Sequence, residues 1–249
     1  MSELADHTAF VTGSTSGIGR AVALELATAG ARVAIHGRSA DHAAEVAALL
    51  GDRHAGTFLA DLAAPEAVAG LARDVEARLP EVSIVALVAG ADVLTGPPAK
   101  WPFEKKLEHL LAVDVVATMH LARPLGRWMA ARDGGTIVTI GWDQADVGME
   151  GDSGELFAAS KAAVMAFSKS LARSLAPRVR VNCVAPGWIK TAWGEAASEA
   201  WQKRAVRESM LGRWGTPEDI AAAIRWIVGP DAAFMTGQVV NVNGGFRRA

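Results

Sequence analysis

The sequence predicts an α/β fold, a doubly wound parallel sheet with helices on both faces. Two observations predict it. Short β-branched runs alternate with longer alanine-rich stretches of helical period, and strands that take turns with helices pair in parallel through crossovers. A glycine-rich turn, TGSTSGIG over 12–19, also joins the first apolar run to the first helical one. The chain has 249 residues, 51% of them apolar, so it can bury a large core as one domain spanning 1–249.

The strand runs are TAFVT (8–12), RVAIH (32–36), TFLA (57–60), IVALVAG (84–90), GTIVTIG (135–141), RVRVNCVAPG (178–187) and QVVNVNGG (238–245). Between them lie helical patterns such as AVALELATAG (21–30) and PEAVAGLARDVEARL (65–79). Two longer helical stretches, 103–131 and 156–176, are apolar over more than one face. The breaks at Gly96-Pro97-Pro98, Pro186-Gly187 and Gly229-Pro230 each fall between consecutive elements and none makes a flexible linker.

Composition narrows the function classes. A formal charge of -2 with acids and bases interspersed gives no footprint for nucleic acid or an anionic membrane. No apolar run is long enough to span a bilayer and the first ten residues lack a secretion pattern, so a cytoplasmic location and a small-molecule substrate are expected. Cys183, the only cysteine, sits in an apolar strand run and is expected to be a core residue. The six histidines show no ligand spacing, and no metal site is expected.

In the glycine-rich turn, Gly13, Gly17 and Gly19 permit a tight turn, close approach of a pyrophosphate and close packing of helix on strand. The helix N-terminus offers free N–H groups to the anion. The G-x-x-x-G-x-G spacing resembles that of the short-chain dehydrogenase/reductase family. Further landmarks of the family follow in order: Asp61-Leu62 after the third strand, Ala89-Gly90 at the end of the fourth, Pro186-Gly187-Trp188-Ile189-Lys190-Thr191 after the sixth, then LGRWGTPEDIA and TGQVVNVNGG. The resemblance covers nearly the whole chain and implies a Rossmann-type sheet of strand order 3-2-1-4-5-6-7. It implies a dinucleotide held by Gly13, Ser14, Ser16, Gly17, Ile18, Gly19, Arg38, Asp61, Leu62, Ala89, Gly90, Lys161, Pro186, Gly187, Ile189 and Thr191. Glycine stands at position 37, where NAD-preferring members carry an acid, and Arg38 follows, able to pair with a 2′-phosphate. NADP(H) is therefore expected over NAD(H).

The chemistry side departs from the family. Members use a serine, a tyrosine, a lysine four residues after the tyrosine, and an asparagine. Here only Lys161 survives: Phe157 takes the tyrosine's place, Trp142 or Gly141 the serine's and Asp114 the asparagine's. The chain contains no tyrosine at all. Asp114, in an apolar helical stretch, is expected to be buried and ion-paired with Lys161. Asp143 is the candidate replacement proton donor, and Asp152 with Glu155 reads as a capping box. The GDSG at 151–154 resembles a protease nucleophile motif, but the alternating β/α pattern excludes an all-β protease, and Ser153 is better read as a helix-start residue.

Residues 192–212 form the substrate lid that the resemblance implies, with Trp193, Trp201, Met210 and Leu211 lining an aromatic pocket together with Trp142 and Phe157. An apolar or planar substrate and a homotetramer, or failing that a dimer, are expected. Three functions remain open. The first is a redox enzyme acting on an activated C=C, a C=N or a C=O; the second is a cyclase or isomerase that keeps its cofactor as structure; the third is a nucleotide-binding protein without turnover.

Overall fold

The structure, a computed structural model, describes residues 3–246. The expected span of 1–249 therefore has its outermost residues outside the described region. Seven parallel strands lie in the order β3-β2-β1-β4-β5-β6-β7, as the motifs imply. They are β1 (Thr8–Thr12), β2 (Arg32–Gly37), β3 (His54–Leu59), β4 (Val82–Leu87), β5 (Gly135–Ile140), β6 (Val179–Pro186) and β7 (Val239–Val242). No helix among the described residues is long and apolar enough to cross a membrane.

Side chains alternate across each strand, and β1 shows the result: Ala9 and Val11 enter one core and Phe10 the other. Both faces are covered, which is why the strands read as continuous apolar runs. One layer contains α1 (Gly17–Thr28), α2 (Ala40–Leu50) and α9 (Pro217–Val228), whose Leu26, Val46 and Ile224 are buried against that face. The other contains α3 (Pro65–Arg78), α5 (Ala117–Ala130) and α6 (Asp152–Leu175), with Val75, Leu125 and Leu171 buried there. Cys183 is fully buried on β6, in the core as expected.

Two local expectations change. The run 103–131 is not one regular helix: α4 (Phe103–Leu110) passes through a π-helical turn, Leu111–Val116, before α5 begins. Periodicity cannot reveal this, because a stretch that is apolar over more than one face shows no break when the phase of the helix changes. The capping box at Asp152 and Glu155 is also overturned. The N-cap of α6 is Gly151, at φ 84°, and Asp152 already lies inside the helix. Thr216 and Asp219 instead form a reciprocal box at the start of α9.

Candidate active site

The carboxyl ends of the strands assemble the site. Gly13 turns at φ +64°, and a Cβ there would lie 2.8 Å from the Ala89 Cα. A Cβ on Gly19 would overlap the Gly13 carbonyl, so glycine at 19 lets α1 sit directly on the turn. Thr12 Oγ1 accepts the N–H groups of Val88 and Ala89 at 3.0 and 3.1 Å, tying the end of β1 to that of β4. Ser14 is buried and its Oγ accepts the His36 N–H at 2.8 Å. Ser16, the N-cap of α1, makes no side-chain cap, and no acid occupies the first turn beside Ile18. That helix end keeps its free N–H groups and positive pole for an anion.

His36 is a participant that sequence reasoning missed. Burial holds its imidazole at about pKa 4, so it is neutral, and its Nδ1 accepts the Gly13 N–H at 3.2 Å. Arg38 is exposed and forms no ion pair among the described residues. A Cβ at Gly37 would overlap the Thr15 methyl, so the turn itself takes up the room an acid there would need. Asp61 accepts the Ala63 N–H at 3.0 Å, and Leu62 beside it is buried. Pro186 ends β6; a Cβ on Gly187 would lie 2.6 Å from the Asn243 Cβ, and Ile189 and Thr191 lead into the next segment.

Lys161, on α6, and Asp114, on the π turn, meet as expected. Nζ lies 2.8 Å from Asp114 Oδ2, with both residues buried. The other carboxylate oxygen accepts the Ala91 N–H at 2.7 Å. Gly90 closes over the pair, since a Cβ there would sit 3.5 Å from Asp114 Oδ2 and 3.7 Å from Lys161 Nζ. Phe157 lies one turn before Lys161 and packs beside Val93, Leu110 and Leu156, with its ring edge-on to Trp142 at 6.4 Å between centroids.

Asp143 has a different partner. Its Oδ2 accepts the Asn243 amide at 3.0 Å, and its Oδ1 is buried with no hydrogen-bond partner. Burial pushes its pKa up from 3.8 to about 6; the Asn243 amide and the Gln144 backbone N–H pull the other way, and nearby Glu208 adds to the rise. Asn243, at the end of β7, carried no signal that could be read without the fold.

The lid region contains α7 (Ala192–Ala196) and α8 (Glu199–Glu208). Its tryptophans form a cluster. Trp193 and Trp201 pack on Trp188 and Trp214 with centroids 5.4 to 6.0 Å apart, while Met210 and Leu211 are exposed. Buried Glu208 pins the cluster by accepting Trp188 Nε1 at 2.8 Å and Arg204 Nε at 2.7 Å. Arg204 also reaches both oxygens of Glu150, at 2.6 and 3.2 Å, and so joins α8 to the loop before α6.

Comparison with known proteins agrees with this architecture. A family model described as Enoyl-(Acyl carrier protein) reductase matches residues 13–247. Nodulation protein G of Rhizobium sp. (strain N33) is 36% identical over 98% of both chains. Among solved structures, a short-chain dehydrogenase/reductase from Serratia marcescens is 31% identical over 98% of this chain and 99% of its own, with a TM-score of 0.88. L-Sorbose reductase from Gluconobacter frateurii, solved with NADPH and L-sorbose, is 27% identical over the full length of both, also with a TM-score of 0.88. With the sheet order, the glycine turn and these matches in agreement, the chain belongs to the short-chain dehydrogenase/reductase family.

Proposed function

We propose that this oxidoreductase binds NADP(H) and passes hydride to an apolar or planar small molecule carrying an activated C=C, C=N or C=O, without a tyrosine acid. The observation that carries the reading is the buried Lys161–Asp114 pair, intact beside a phenylalanine. Retaining a buried pair is costly unless it has a use, because desolvation offsets most of its attraction.

The residues present fit the dinucleotide. The free N-terminus of α1 and the glycine turn suit a pyrophosphate, while Arg38, unpaired beside a glycine, suits a 2′-phosphate over bare ribose hydroxyls. When bound, the cofactor supplies or takes up hydride. Asp114 fixes the Lys161 ammonium, which would donate to the nicotinamide ribose. Trp142 and Phe157 keep water from the reacting atoms, and Asp143 is the available acid should an acceptor need one. We read the chain as one domain with residues 192–212 as its lid, working in the cytoplasm. Exposed Trp226 and Phe234, apolar surface available for subunit contact, support a homotetramer.

The test is NADPH binding by fluorescence titration, followed by its consumption with a panel of enones, iminium salts and ketones. Binding and consumption are expected. Binding with no consumption by any acceptor would favour the cyclase or isomerase class, or a nucleotide-binding role, and absence of binding would overturn all three.

A further inference from the structure

The glycine turn and the segment that carries Arg38 are laced together through one residue, His36, near the end of β2. Its carbonyl accepts the Ser14 N–H at 3.0 Å, and its own N–H donates to Ser14 Oγ at 2.8 Å. The side chain adds a separate tie, with Nδ1 accepting the Gly13 N–H at 3.2 Å. On the other side Gly37 accepts the Ala60 N–H at 3.2 Å, so residues 36–38 stand between the turn and the end of β3. The packing is direct as well: a Cβ on Gly37 would fall 2.4 Å from the Thr15 methyl.

An imidazole is a costly way to fill that space. It is buried, with its ring edge-on to Phe10. Because Nδ1 accepts, the neutral ring carries its proton on Nε2. The Ala60 backbone lies near enough to favour the charged ring, yet Nε2 meets no acceptor within hydrogen-bond range. A buried donor without a partner is a penalty that leucine would avoid. The compensating gain is the Gly13 contact, and Gly13 is the residue that turns at φ 64°.

We propose that His36 is a positioning residue for cofactor preference: by clamping the turn to β2 it fixes the span between the pyrophosphate site at the start of α1 and Arg38 at the 2′-phosphate. This rests on the NADP(H) reading above and adds a second determinant to Arg38. NADPH must satisfy both anchor points at one spacing. NADH, without the 2′-phosphate, uses only the first and can follow a turn that has shifted. Loss of the imidazole leaves the Ser14 hydrogen bonds as a pivot, so the turn relaxes and the dinucleotide with two anchors loses more.

The experiment compares Kd values for NADPH and NADH, by fluorescence titration, in the wild type and in His36 variants of the full chain. His36→Leu removes the acceptor. His36→Asn places its carboxamide oxygen close to the position of Nδ1, whereas His36→Gln carries its oxygen one bond further out. The wild type is expected to prefer NADPH by at least about tenfold. His36→Leu and His36→Gln should weaken NADPH about tenfold and NADH no more than about threefold, while His36→Asn keeps the wild-type ratio within about twofold. A residue that only filled the core would lower the melting temperature and weaken both cofactors equally. Equal weakening in His36→Leu, or one ratio shared by His36→Asn and His36→Gln, would overturn the assignment and leave NADP(H) binding standing. Absence of any NADPH preference in the wild type would overturn the reading of Arg38, and this one with it. Should the variants fail to fold, heteronuclear NMR of the wild-type histidine side chains decides. The His36 ring, assigned through its contact with Phe10, should have an unprotonated Nδ1 whose resonance moves more on adding NADPH than NADH. A proton on Nδ1, or equal shifts with the two cofactors, would overturn the proposal.

Discussion

The two halves of the proposed site are built in different ways. The nucleotide half is made of backbone: glycines at 13 and 19 whose side chains would collide with the main chain, a helix end, and a neutral imidazole that holds the turn through one N–H. The acceptor half is made of side chains drawn from distant segments, with Lys161 meeting Asp114, Trp142 meeting Phe157, and Asp143 meeting Asn243. Steric demands on a backbone tolerate few residues, whereas a side-chain pocket can be rebuilt position by position. Within one site, the first half can therefore remain typical of its family while the second departs from it.

The sharpest break of that contrast is Lys161→Ala. It leaves Asp114 buried with a single backbone N–H for company, and removing one partner of a buried pair costs about 3 to 5 kcal/mol. Helix propensity alone would leave the fold untouched, but the burial of the pair adds a stability cost. A fall in melting temperature on the order of 10 °C is expected, with loss of NADPH binding, by thermal unfolding and titration. A stability loss below about 1 kcal/mol would mean that Asp114 finds another partner and that the pair does not hold the acceptor half together.

That prediction also marks where sequence stops being legible. The alternation of strands and helices, the glycine turn and the burial of Asp114 could be read, because periodicity, special backbone conformations and a charge in an apolar stretch are all local signals; the strand order and the partnership with Lys161 followed only from the family resemblance. The π turn that carries Asp114 could not, and neither could Asn243, which reaches Asp143 across 100 positions of chain. The lid tryptophans were legible as apolar but not as partners of one another, because their pairing depends on Trp188 and Trp214 from outside the lid helices.

A second test sets the buried groups of the two halves against each other through pH. The Asp143 carboxyl is raised from 3.8 to about 6 on folding, so between those values the native state holds a proton that the unfolded state has released. Its effect on stability is most favourable below pH 3.8 and declines as pH rises through 6. His36, lowered from 6.5 to about 4, has the opposite sign: its contribution is complete above pH 6.5 and is lost as pH falls toward 4. The two slopes oppose each other in the overlapping window. Asp143→Asn should remove one of them, so that the stability of the variant relative to wild type rises by about 2 to 3 kcal/mol between pH 4 and 6 and stays level above. Urea unfolding at a series of pH values measures the difference, and a flat difference curve would show that Asp143 is not desolvated.

A smaller effect is expected where the nucleotide half meets solvent. Arg38→Asp should abolish a preference for NADPH over NADH of about tenfold, or 1.4 kcal/mol, because an exposed contact to a 2′-phosphate is screened by salt. The change should leave the melting temperature of the free protein nearly unmoved, since Arg38 forms no ion pair among the described residues. Equal affinities for the two cofactors in the unmutated protein would remove Arg38 from the site.

The smallest effect expected is none, and it bears most directly on whether the acceptor half has lost one atom or been rebuilt. Phe157→Tyr restores a phenol one turn before Lys161, yet it should yield no reduction of simple ketones or acyl thioester ketones with NADPH. Three features argue against recovery. The Lys161 ammonium is 2.8 Å from a carboxylate, so much of the field that would lower the pKa of a new phenol is already cancelled. On the family resemblance Trp142 or Gly141 takes the place of the serine that would orient the carbonyl, and the Trp142 ring meets that of residue 157 edge-on. The ring of Phe157 also packs beside Val93, Leu110 and Leu156, and a hydroxyl left unsatisfied among such neighbours costs about 1 to 3 kcal/mol. The single variant should be assayed beside one that also carries Trp142→Ser and Asp114→Asn, which restores the serine and asparagine together with the tyrosine. Ketone reduction by the triple variant alone is the expected pattern. If Phe157→Tyr by itself turns over ketones, the acceptor half is an ordinary reductase site short of one oxygen, and the contrast between a retained nucleotide half and a rebuilt acceptor half fails.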